Sequence, residues 1–158
     1  MNLVQPEERH LLEMMDWFKS ERDLTEWAGP GFRFPFNQQS FREDLKLDEL
    51  SSYSLVSESE RFLAFGQYYE RLGRCHLGRL AVSPVGRGRG VARQLIAQLC
   101  AKGMDQLDAD ECSLFVMQQN TSAIRAYKKS GFDFSTYPDG VGIEDCLYMV
   151  RQQVKAGS

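Results

Sequence analysis

A glycine-rich turn that carries two arginines is the part of this sequence best suited to holding a phosphate. Residues 82–92 read V-S-P-V-G-R-G-R-G-V-A, and the helical pattern R-Q-L-I-A-Q-L-C follows without a break. The first amides of a helix lack hydrogen-bond partners, and the helix dipole favours negative charge there. The glycines, which permit positive φ and close approach of a ligand, are Gly86, Gly88 and Gly90, and the arginines are Arg87 and Arg89. The sequence therefore predicts an anion-binding turn between a strand and a helix.

Two common phosphate-binding turns do not match this segment. A Walker A loop needs Gly-x-x-x-x-Gly-Lys followed by Ser or Thr, and the chain contains neither Gly-Lys-Ser nor Gly-Lys-Thr. A dinucleotide-binding fingerprint needs Gly-x-Gly-x-x-Gly or Ala, but the last position is Arg93 or Val91 in the two possible alignments. The remaining pattern is Arg-x-x-Gly-x-Ala, which Arg87, Gly90 and Ala92 fill.

This pattern resembles the acyl-CoA pyrophosphate motif of the GNAT superfamily of N-acetyltransferases. A second run, N-T-S-A-I-R-A-Y-K-K-S-G-F over residues 120–132, lies at the spacing that this family shows, with one strand in between. The resemblance covers residues 52–135 well and residues 1–50 in outline. It implies a single GNAT domain over residues 1–158, with a mostly antiparallel central sheet and flanking helices. It also implies transfer of acetyl from acetyl-CoA to a primary amine by direct attack in a ternary complex.

The resemblance further implies where coenzyme A binds. Amides from Gly88 to Ala92 would hold its pyrophosphate, and the backbone of residues 80–82 would pair with the pantetheine arm and polarise the thioester. The alternatives are an ordinary tight turn between strand and helix, and an ordinary buried strand. The predicted cofactor-binding residues are Leu80, Ala81, Val82, Arg87, Gly88, Arg89, Gly90, Val91, Ala92, Asn120, Ala123 and Tyr127.

The second motif supplies a candidate general acid. Asn120, Ala123 and Tyr127 have spacings that place them on one helix face. The resemblance implies that Tyr127 lies near the coenzyme sulfur and protonates the leaving thiolate. A phenol of pKa ~10 does so only against a modest gradient for a thiol of pKa ~8.5, so we expect local tuning. Tyr127 is otherwise a half-buried aromatic residue, and Asn120 is a helix cap, a pantetheine ligand or both.

The general base is less clearly marked. Many relatives place a glutamate about six residues before the position of Val82, where this chain has His76. Strand alternation predicts His76, Gly78, Leu80 and Val82 on one face. A histidine with a pKa of ~6.5 suits removal of a proton from an ammonium group, directly or through water, although lone strand histidines are often structural. Glu70 is the reserve candidate, and water alone is the third.

Periodicity predicts the elements that must position these residues. The predicted strands are 2–5, 52–57, 61–69, 75–82, 111–116, 132–137 and 145–151, and the predicted helices are 7–19, 38–47, 88–107 and 120–130. Three strands in series favour an antiparallel meander, and the strand–helix–strand–helix order that follows favours a mixed sheet with helices on its faces. The predicted class is α/β with antiparallel elements.

Two segments are candidates for the acceptor side. The first is aromatic and consists of Trp27, Phe32, Phe34 and Phe36, with Arg33 among them. It forms either a wall that packs the acceptor or a loop tied to the core by its aromatic rings. The second consists of Tyr137, Asp139, Glu144 and Asp145 and forms either an acidic edge for a cationic amine or a solvated turn. The resemblance ranks a protein or peptide N-terminus first as acceptor, ahead of a polyamine, amino acid or aminoglycoside.

Composition excludes several other classes. A net charge of −3 without a basic stripe argues against nucleic-acid binding, and the cysteines lack the spacing and nearby histidines of a zinc site, so no metal is expected. Without a leader or a long apolar run, we expect a cytoplasmic protein with reduced thiols and no membrane contact, as a monomer or homodimer. The alternatives to an enzyme are a non-catalytic acyl-CoA-binding regulatory module and a nucleotide-phosphate binder.

Overall fold

The computed structural model describes residues 1–29, 31–86, 88–138 and 145–152. The strands in this part of the chain are β1 (Asn2–Val4), β2 (Ser51–Val56), β3 (Phe62–Arg71), β4 (Arg74–Val82), β5 (Glu111–Met117), β6 (Asp133–Ser135) and β7 (Cys146–Gln152). The helices are α1 (Glu8–Met15), α2 (Glu21–Ala28), α3 (Gln38–Leu45), α4 (Val91–Leu107) and α5 (Thr121–Lys129). No helix in these ranges is long and apolar enough to cross a membrane.

All of the strands belong to one mixed sheet in the order β1-β2-β3-β4-β5-β7-β6. Strands β1 to β4 form the antiparallel meander that the sequence predicts. Strand β5 is parallel to β4, because α4 carries the chain back across the sheet between them. Strand β7 then lies between β5 and β6 and is antiparallel to both. The predicted α/β class with a mostly antiparallel sheet is confirmed.

Helices cover both faces of the sheet and create two separate cores. Helix α4 buries Leu95, Ile96 and Leu99 against β3, β4 and β5. On the opposite face, α1, α2 and α3 bury a second apolar cluster around Phe41 and Phe65, which are both fully buried. We call these the α4 core and the α1–α3 core. Since the two cores lie on opposite faces, a residue of β4 belongs to one or the other according to the face that it occupies.

Helix α2 is the element that periodicity did not predict. It begins after Ser20, whose side chain accepts a hydrogen bond from the amide of Asp23 at 3.1 Å. The sequence S-E-R-D therefore contains a recognisable helix start, with an N-cap serine and an acidic first turn. Only Leu24 is buried in this short helix, so its apolar periodicity is weak. The start of α2 was therefore marked in the sequence by its N-cap, although the apolar periodicity of the helix was too weak to indicate it.

All four predicted helices are shorter in the structure, and the first and third differ most at one end. Helix α1 ends at Met15 rather than at residue 19, and the chain then turns so that Trp17 stacks on Phe62 at 5.2 Å between ring centroids. Helix α4 begins at Val91 rather than at Gly88, because Gly88 and Gly90 have φ values of 82° and 74°. Such values lie in the left-handed region, which a right-handed helix cannot use.

A bulge interrupts β4 and changes which side chains share a face. Gln67 pairs with Gly78 and Phe65 pairs with Ala81, so β4 has an extra residue opposite this part of β3. Arg79, inside the bulge, has a φ of 49°. Cys75 and Leu77 lie in the α4 core before the bulge, and Leu80 and Val82 pack against the same core after it. The predicted alternation, with His76, Gly78, Leu80 and Val82 on one face, is therefore wrong.

Candidate functional site

The parallel strands β4 and β5 separate part-way along their length. They pair only at Cys75 with Cys112, His76 with Ser113 and Leu77 with Leu114. Beyond these pairs β4 continues to Val82 and β5 to Met117 without pairing to each other. The facing backbone edges are therefore open, and an extended ligand can hydrogen-bond there as an added strand would. The resemblance implies an open edge here, since it places the pantetheine arm against the backbone of residues 80–82.

A cleft of about 1120 Å³ passes through the gap between these strands. Its walls include the ends of both strands, residues 78–82 and 114–117. Pro84, Asn120 and Tyr127 line it on the side of α4 and α5. The residues on the side of the α1–α3 core include Trp17, Phe18, Trp27, Tyr69, Arg71, His76 and Arg79. One continuous opening thus connects the two motifs of the sequence with the aromatic segment.

The start of α4 presents unpaired amides. Its N-cap residue is Gly90, which has no side chain to cap the helix, and the amide of Gln94 makes the hydrogen bond to the Gly90 carbonyl at 3.1 Å. The amides of Val91, Ala92 and Arg93 therefore have no partner within the helix. A serine or aspartate cap would occupy one of them, so the glycine cap leaves the helix start open to an anion.

The glycines of this turn do not all have the same role. A Cβ on Gly88 or Gly90 would meet no heavy atom within 4 Å, so both positions face open space and are glycine for their backbone conformation. Gly86 lies in a buried 3-10 turn, where its amide donates to the Ser83 carbonyl at 2.9 Å. Arg89 is exposed beside the helix start, and Arg87 lies outside the described residues.

Asn120 caps α5, as one of its two interpretations requires. Its Oδ1 accepts from the amide of Ala123 and from the hydroxyl of Ser122, each at 3.2 Å. Asn120 also lines the cleft, as does Tyr127 two turns later, so the predicted shared helix face is turned toward the gap. The Nδ2 group of Asn120 makes no hydrogen bond to a described residue. It is the atom of Asn120 that a ligand would meet as a donor.

Tyr127 is packed and also faces the cleft. Its ring contacts Phe132 edge-on, with 6.3 Å between centroids, and its hydroxyl has no hydrogen-bond partner among the described residues. Burial raises the pKa of this phenol to about 12. The expected tuning thus occurs in the direction opposite to easier proton release. The phenol is protonated at any pH at which the protein would be assayed, and it can donate a hydrogen bond into the cleft.

His76 lies in an aromatic enclosure on the side of the α1–α3 core. Its ring is 4.8 Å from that of Phe115 and 5.2 Å from that of Tyr69, and a hydrogen bond of 2.8 Å joins its Nδ1 to the hydroxyl of Ser113. The residue is 2% exposed. Burial, with the positive charge of Arg71 as a second cause, lowers the His76 pKa to about 3. The imidazole is therefore neutral but a weak proton acceptor.

Glu70 lies outside the cleft. Its Oε1 accepts a hydrogen bond of 2.7 Å from the amide of Gly73 and thereby closes the exposed turn between β3 and β4. Glu70 is not among the residues that line the cleft. The structure gives this carboxylate a role in the turn and brings it no nearer to the gap.

The aromatic segment is tied to the α1–α3 core. Phe32 and Phe36 pack edge-on against the buried Phe41, with centroids 5.7 and 5.1 Å away, and Trp27 stacks on it at 6.1 Å. Arg33 leaves the cluster and binds Glu43 at 2.8 Å and Asp44 at 3.1 Å. The loop interpretation holds for these rings, while Trp27 also lines the cleft.

The late acidic segment is described only in part. Tyr137 packs edge-on against Tyr148 at 5.1 Å, and its hydroxyl accepts a hydrogen bond of 3.1 Å from Arg71. Asp145 is exposed, with a φ of 65°. Asp139 and Glu144 lie outside the described residues, so the acidic edge stays a prediction. Within the described ranges, no three side chains of His, Cys, Asp or Glu are grouped to hold a metal ion.

Sequence reasoning missed two arginines that line the cleft. Arg79 donates from Nη1 to the Gln67 side chain at 3.2 Å and to the Leu45 carbonyl at 3.3 Å. Arg71 lies over the rings of Tyr69 and Phe115, at 5.6 and 5.1 Å from their centroids. A signal existed for Arg79, since it is a charged residue in the middle of an otherwise apolar strand, directly after a glycine.

Comparison with known proteins shows the family and the fold of this chain. Residues 21–132 match the Acetyltransferase (GNAT) family. A ribosomal-protein-alanine N-acetyltransferase from Brucella melitensis superposes with a TM-score of 0.70 at 16% identity, covering 96% of this chain and 99% of that one. A spermidine N-acetyltransferase from Vibrio cholerae, in complex with CoA and spermine, gives 0.70 at 16% identity over 96% and 95%.

A third solved structure has the same fold. It is the PaiA N-acetyltransferase from Thermoplasma acidophilum in complex with coenzyme A, with a TM-score of 0.66 at 15% identity over 96% of this chain and 98% of that chain. The family match spans most of the chain and includes both motifs from which the resemblance was inferred. The protein therefore belongs to the GNAT acetyltransferase family and is an N-acetyltransferase that takes its acetyl group from acetyl-CoA.

Proposed function

We propose that the acetyl thioester binds in the gap between β4 and β5 and is attacked directly by a primary amine in a ternary complex. The observation that carries this proposal is the continuity of the cleft. It joins the open strand edges and Tyr127 to residues on the side of the α1–α3 core. An acyl donor and an acceptor can therefore approach the same point from opposite faces of the sheet, which direct attack requires.

The residues of the α4 side fit coenzyme A. The unpaired amides of Val91 and Ala92 match the negative charge of a pyrophosphate, and Gly88 and Gly90 leave the space above them open. Arg89 is exposed beside this helix start and adds positive charge there. The edge of β4 from Leu80 to Val82 offers backbone partners to the pantetheine amides. The cap residue Asn120 contributes its Nδ2, and Ala123 leaves room beside it.

Two groups of this chain assist the chemistry. A backbone N–H on the open edge of β4 stabilises the negative charge that develops on the acetyl oxygen during attack. Tyr127 acts as general acid, because it lines the cleft and its protonated hydroxyl has no hydrogen-bond partner among the described residues. A phenol whose pKa is about 12 transfers its proton only as the thiolate leaves, so we expect proton transfer and C–S cleavage to be concerted.

Water is the group that best fits removal of the amine proton. His76 lines the cleft, but its pKa of about 3 makes it too weak a base for an ammonium ion. Glu70 is engaged in the β3–β4 turn and does not line the cleft. We therefore propose that the amine loses its proton to bulk solvent through water in the cleft before the attack, with His76 as a neutral hydrogen-bonding wall.

A covalent route through cysteine is not favoured. Cys146 lines the cleft, and its Sγ donates to the sulfur of Met117 at 3.5 Å. Burial, with the negative charge of Asp145 as a second cause, raises the Cys146 pKa. The thiol therefore stays protonated, while the thiolate is the nucleophilic form.

The acceptor enters from the side of the α1–α3 core. A protein or peptide N-terminus is the first class to test, followed by small amines such as polyamines, amino acids and aminoglycosides. Solved structures of the same fold are a ribosomal-protein-alanine and a spermidine N-acetyltransferase, so both classes occur on this scaffold. A single domain over residues 1–158, a cytoplasmic location and a monomeric or homodimeric state complete the proposal.

Mass spectrometry of an amine panel incubated with the protein and acetyl-CoA tests the proposal. The expected result is a mass increase of one acetyl group on at least one class of primary amine, with release of coenzyme A thiol at the same rate. Tight binding of acetyl-CoA without turnover on any amine would instead favour a regulatory module. Displacement of coenzyme A by ATP at equal concentration would favour a nucleotide site.

A further inference from the structure

The acceptor side of the cleft contains a guanidinium that has no carboxylate partner among the described residues. Arg79 uses Nη1 for two neutral acceptors, the Gln67 side chain and the Leu45 carbonyl. Its Nη2 and Nε make no hydrogen bond to a described residue. The Arg79 guanidinium lies 5.2 Å from the ring centroid of Phe32. Arg79 itself lines the cleft, so its unused donors are available there.

The placement of Arg79 is unfavourable for the isolated protein. Arg79 is half-buried and lies in the β4 bulge. Its φ of 49° is a backbone conformation that residues other than glycine seldom adopt. Burial also lowers its pKa, which shows that the surroundings penalise the charge. The neighbouring carboxylate of Asp44 is already engaged by the side chain and the backbone amide of Arg33.

Other groups around Arg79 are also donors. Trp27 lines the cleft and its buried indole N–H has no hydrogen-bond partner in the described part of the chain. Trp27 and Arg79 flank the same ring, with Phe32 at 5.8 Å from the indole and 5.2 Å from the guanidinium. Arg71 also lines the cleft, where it donates a hydrogen bond to the Tyr137 hydroxyl. These side chains form a donor-rich wall.

Carboxylates occur in this cleft only at its exposed mouth, as far as the described residues show. Asp23, Glu26 and Glu49 line the cleft and are all exposed, and Glu26 is already paired with Arg22 at 3.2 Å. The half-buried interior is therefore positive and its rim is negative. Charges at the exposed rim are screened by solvent, so the interior groups dominate recognition.

We propose that the acceptor carries a carboxylate within a few bonds of its amine, and that Arg79 binds this carboxylate. The inference rests on the proposed function and names its substrate class. A guanidinium binds a carboxylate through two parallel hydrogen bonds, which fix its orientation as well as neutralise its charge. The carboxylate belongs either to a free amino acid or to an acidic side chain next to a peptide N-terminus. Polyamines are excluded, since they would bring positive charge to the donor wall.

Matched acceptor pairs test this proposal. Free amino acids are compared with their carboxamides, and peptides with glutamate at the second position are compared with the same peptides carrying glutamine. The expected result is a kcat/KM at least ten-fold higher for the acid in one of the two pairs, and the pair that responds identifies the source of the carboxylate. Equal values in both pairs, or a preference for neutral amines or polyamines, overturn the proposal.

Variants separate recognition from structure. Arg79→Gln is expected to remove the preference for the acid while it leaves the rate with the carboxamide within about two-fold, and Arg79→Lys is expected to restore part of the preference. Arg42→Gln, an exposed arginine outside the cleft, is the control and should retain the full preference. If Arg79→Gln lowers acid and amide rates equally, Arg79 is structural and the proposal fails. Acetyl-CoA binding measured by calorimetry remains normal in that case, whereas failure of the proposed function would appear as no turnover with any amine.

Discussion

At the scale of single residues, burial sets the protonation states in the cleft. Tyr127, His76 and Cys146 all line the gap, and burial is the largest cause of each pKa shift. In each case burial disfavours the charged form, so the phenol and the thiol keep their protons and the imidazole stays neutral. These three groups are thus uncharged before the ligands bind. Hydrogen bonds there are strengthened by the low dielectric surroundings.

Removal of the Tyr127 hydroxyl tests the general acid. Tyr127→Phe is expected to lower kcat by about 10²-fold, the lower end of general acid–base effects, because the leaving thiolate loses its proton donor. The dissociation constant for acetyl-CoA should change little, since the ring and its contact with Phe132 remain. Steady-state kinetics and calorimetry measure the two quantities. An unchanged kcat would return Tyr127 to a packing role.

Replacement of His76 tests the consequence of its lowered pKa. An unfolded histidine has a pKa of ~6.5 and His76 has about 3, so between these values the unfolded chain binds more protons. Acidification therefore destabilises the folded protein, by about 2 kcal/mol between pH 7 and pH 5 from this residue. In His76→Gln the free energy of unfolding should fall less over this interval. Urea unfolding at several pH values measures the difference.

The same variant tests the assignment of the base. If water removes the amine proton, the midpoint of the acidic limb of the pH profile of kcat/KM should be unchanged in His76→Gln. Only the maximal kcat/KM of that profile should differ. Movement of that midpoint would make His76 the base and refute the assignment to water.

Cys146 supplies a test of direct attack. Cys146→Ala should retain kcat within about two-fold, because a protonated thiol contributes no nucleophile. Cys100→Ala in the buried α4 core serves as a comparison for the loss of a thiol elsewhere. Loss of turnover in Cys146→Ala alone, together with a labelled acetyl group on the native enzyme, would indicate a covalent intermediate instead.

At the scale of elements, the proposed donor site depends on two local irregularities. The β4 bulge re-aims the strand just where its pairing with β5 ends, so an edge inside the sheet becomes available. The glycine N-cap of α4 leaves amides free that a polar cap residue would occupy. Neither the bulge nor the glycine cap adds a hydrogen bond within the chain. Both instead leave backbone N–H groups free for the proposed acyl donor.

Gly90→Asp tests the helix start. Its carboxylate would cap the amides of α4 and repel a pyrophosphate, so the affinity for acetyl-CoA should fall by at least 10²-fold, as measured by calorimetry. Gly73→Asp is a matched control, because Gly73 has a φ of 75° against 74° for Gly90 and each faces open space. The control should lose comparable stability and keep its affinity. Equal affinities in both variants would remove the α4 turn from the site.

At the scale of the whole molecule, the sheet separates two cores. In the proposed function the α4 core supports the acyl-donor side, and the α1–α3 core supports the acceptor side. Helix α4 can lie close to the sheet because Gly66 and Gly103 have no side chains. A Cβ on Gly66 would overlap Leu99 and lie 2.8 Å from Leu80, and a Cβ on Gly103 would overlap the sulfur of Cys75. The position of the α4 N-terminus thus depends on this close packing.

Gly103→Ala tests the close approach of α4. Alanine is favoured over glycine in a helix by about 1 kcal/mol, but overpacking in a core costs about 1–3 kcal/mol and here the overlap involves a buried sulfur and Tyr68. We expect a net decrease of about 1 kcal/mol in the free energy of unfolding, measured in urea. Gln94→Ala, on the exposed face of the same helix, is the control and should be nearly neutral. A stabilised Gly103→Ala variant would contradict the close contact.

Local patterns in the sequence determined the family and the order of strands and helices. The two motifs depend on residues close together in the chain, and so do helix periodicity and capping. The Ser20 cap shows that even the unpredicted α2 was encoded locally. The α/β class with an antiparallel meander and a crossover helix follows from such signals.

Tertiary structure alone decided the faces of β4 and the chemistry of the acceptor side. Arg79 meets Leu45, Gln67 and Phe32, which are distant in sequence, and the bulge that places it depends on the pairing of β3 with β4. The pKa shifts of His76 and Tyr127 also depend on burial by other elements, so their directions cannot be derived from their neighbours in the chain. Strand register and desolvation are properties of the packed molecule. For that reason the sequence indicated the acyl donor and left the acceptor to the fold.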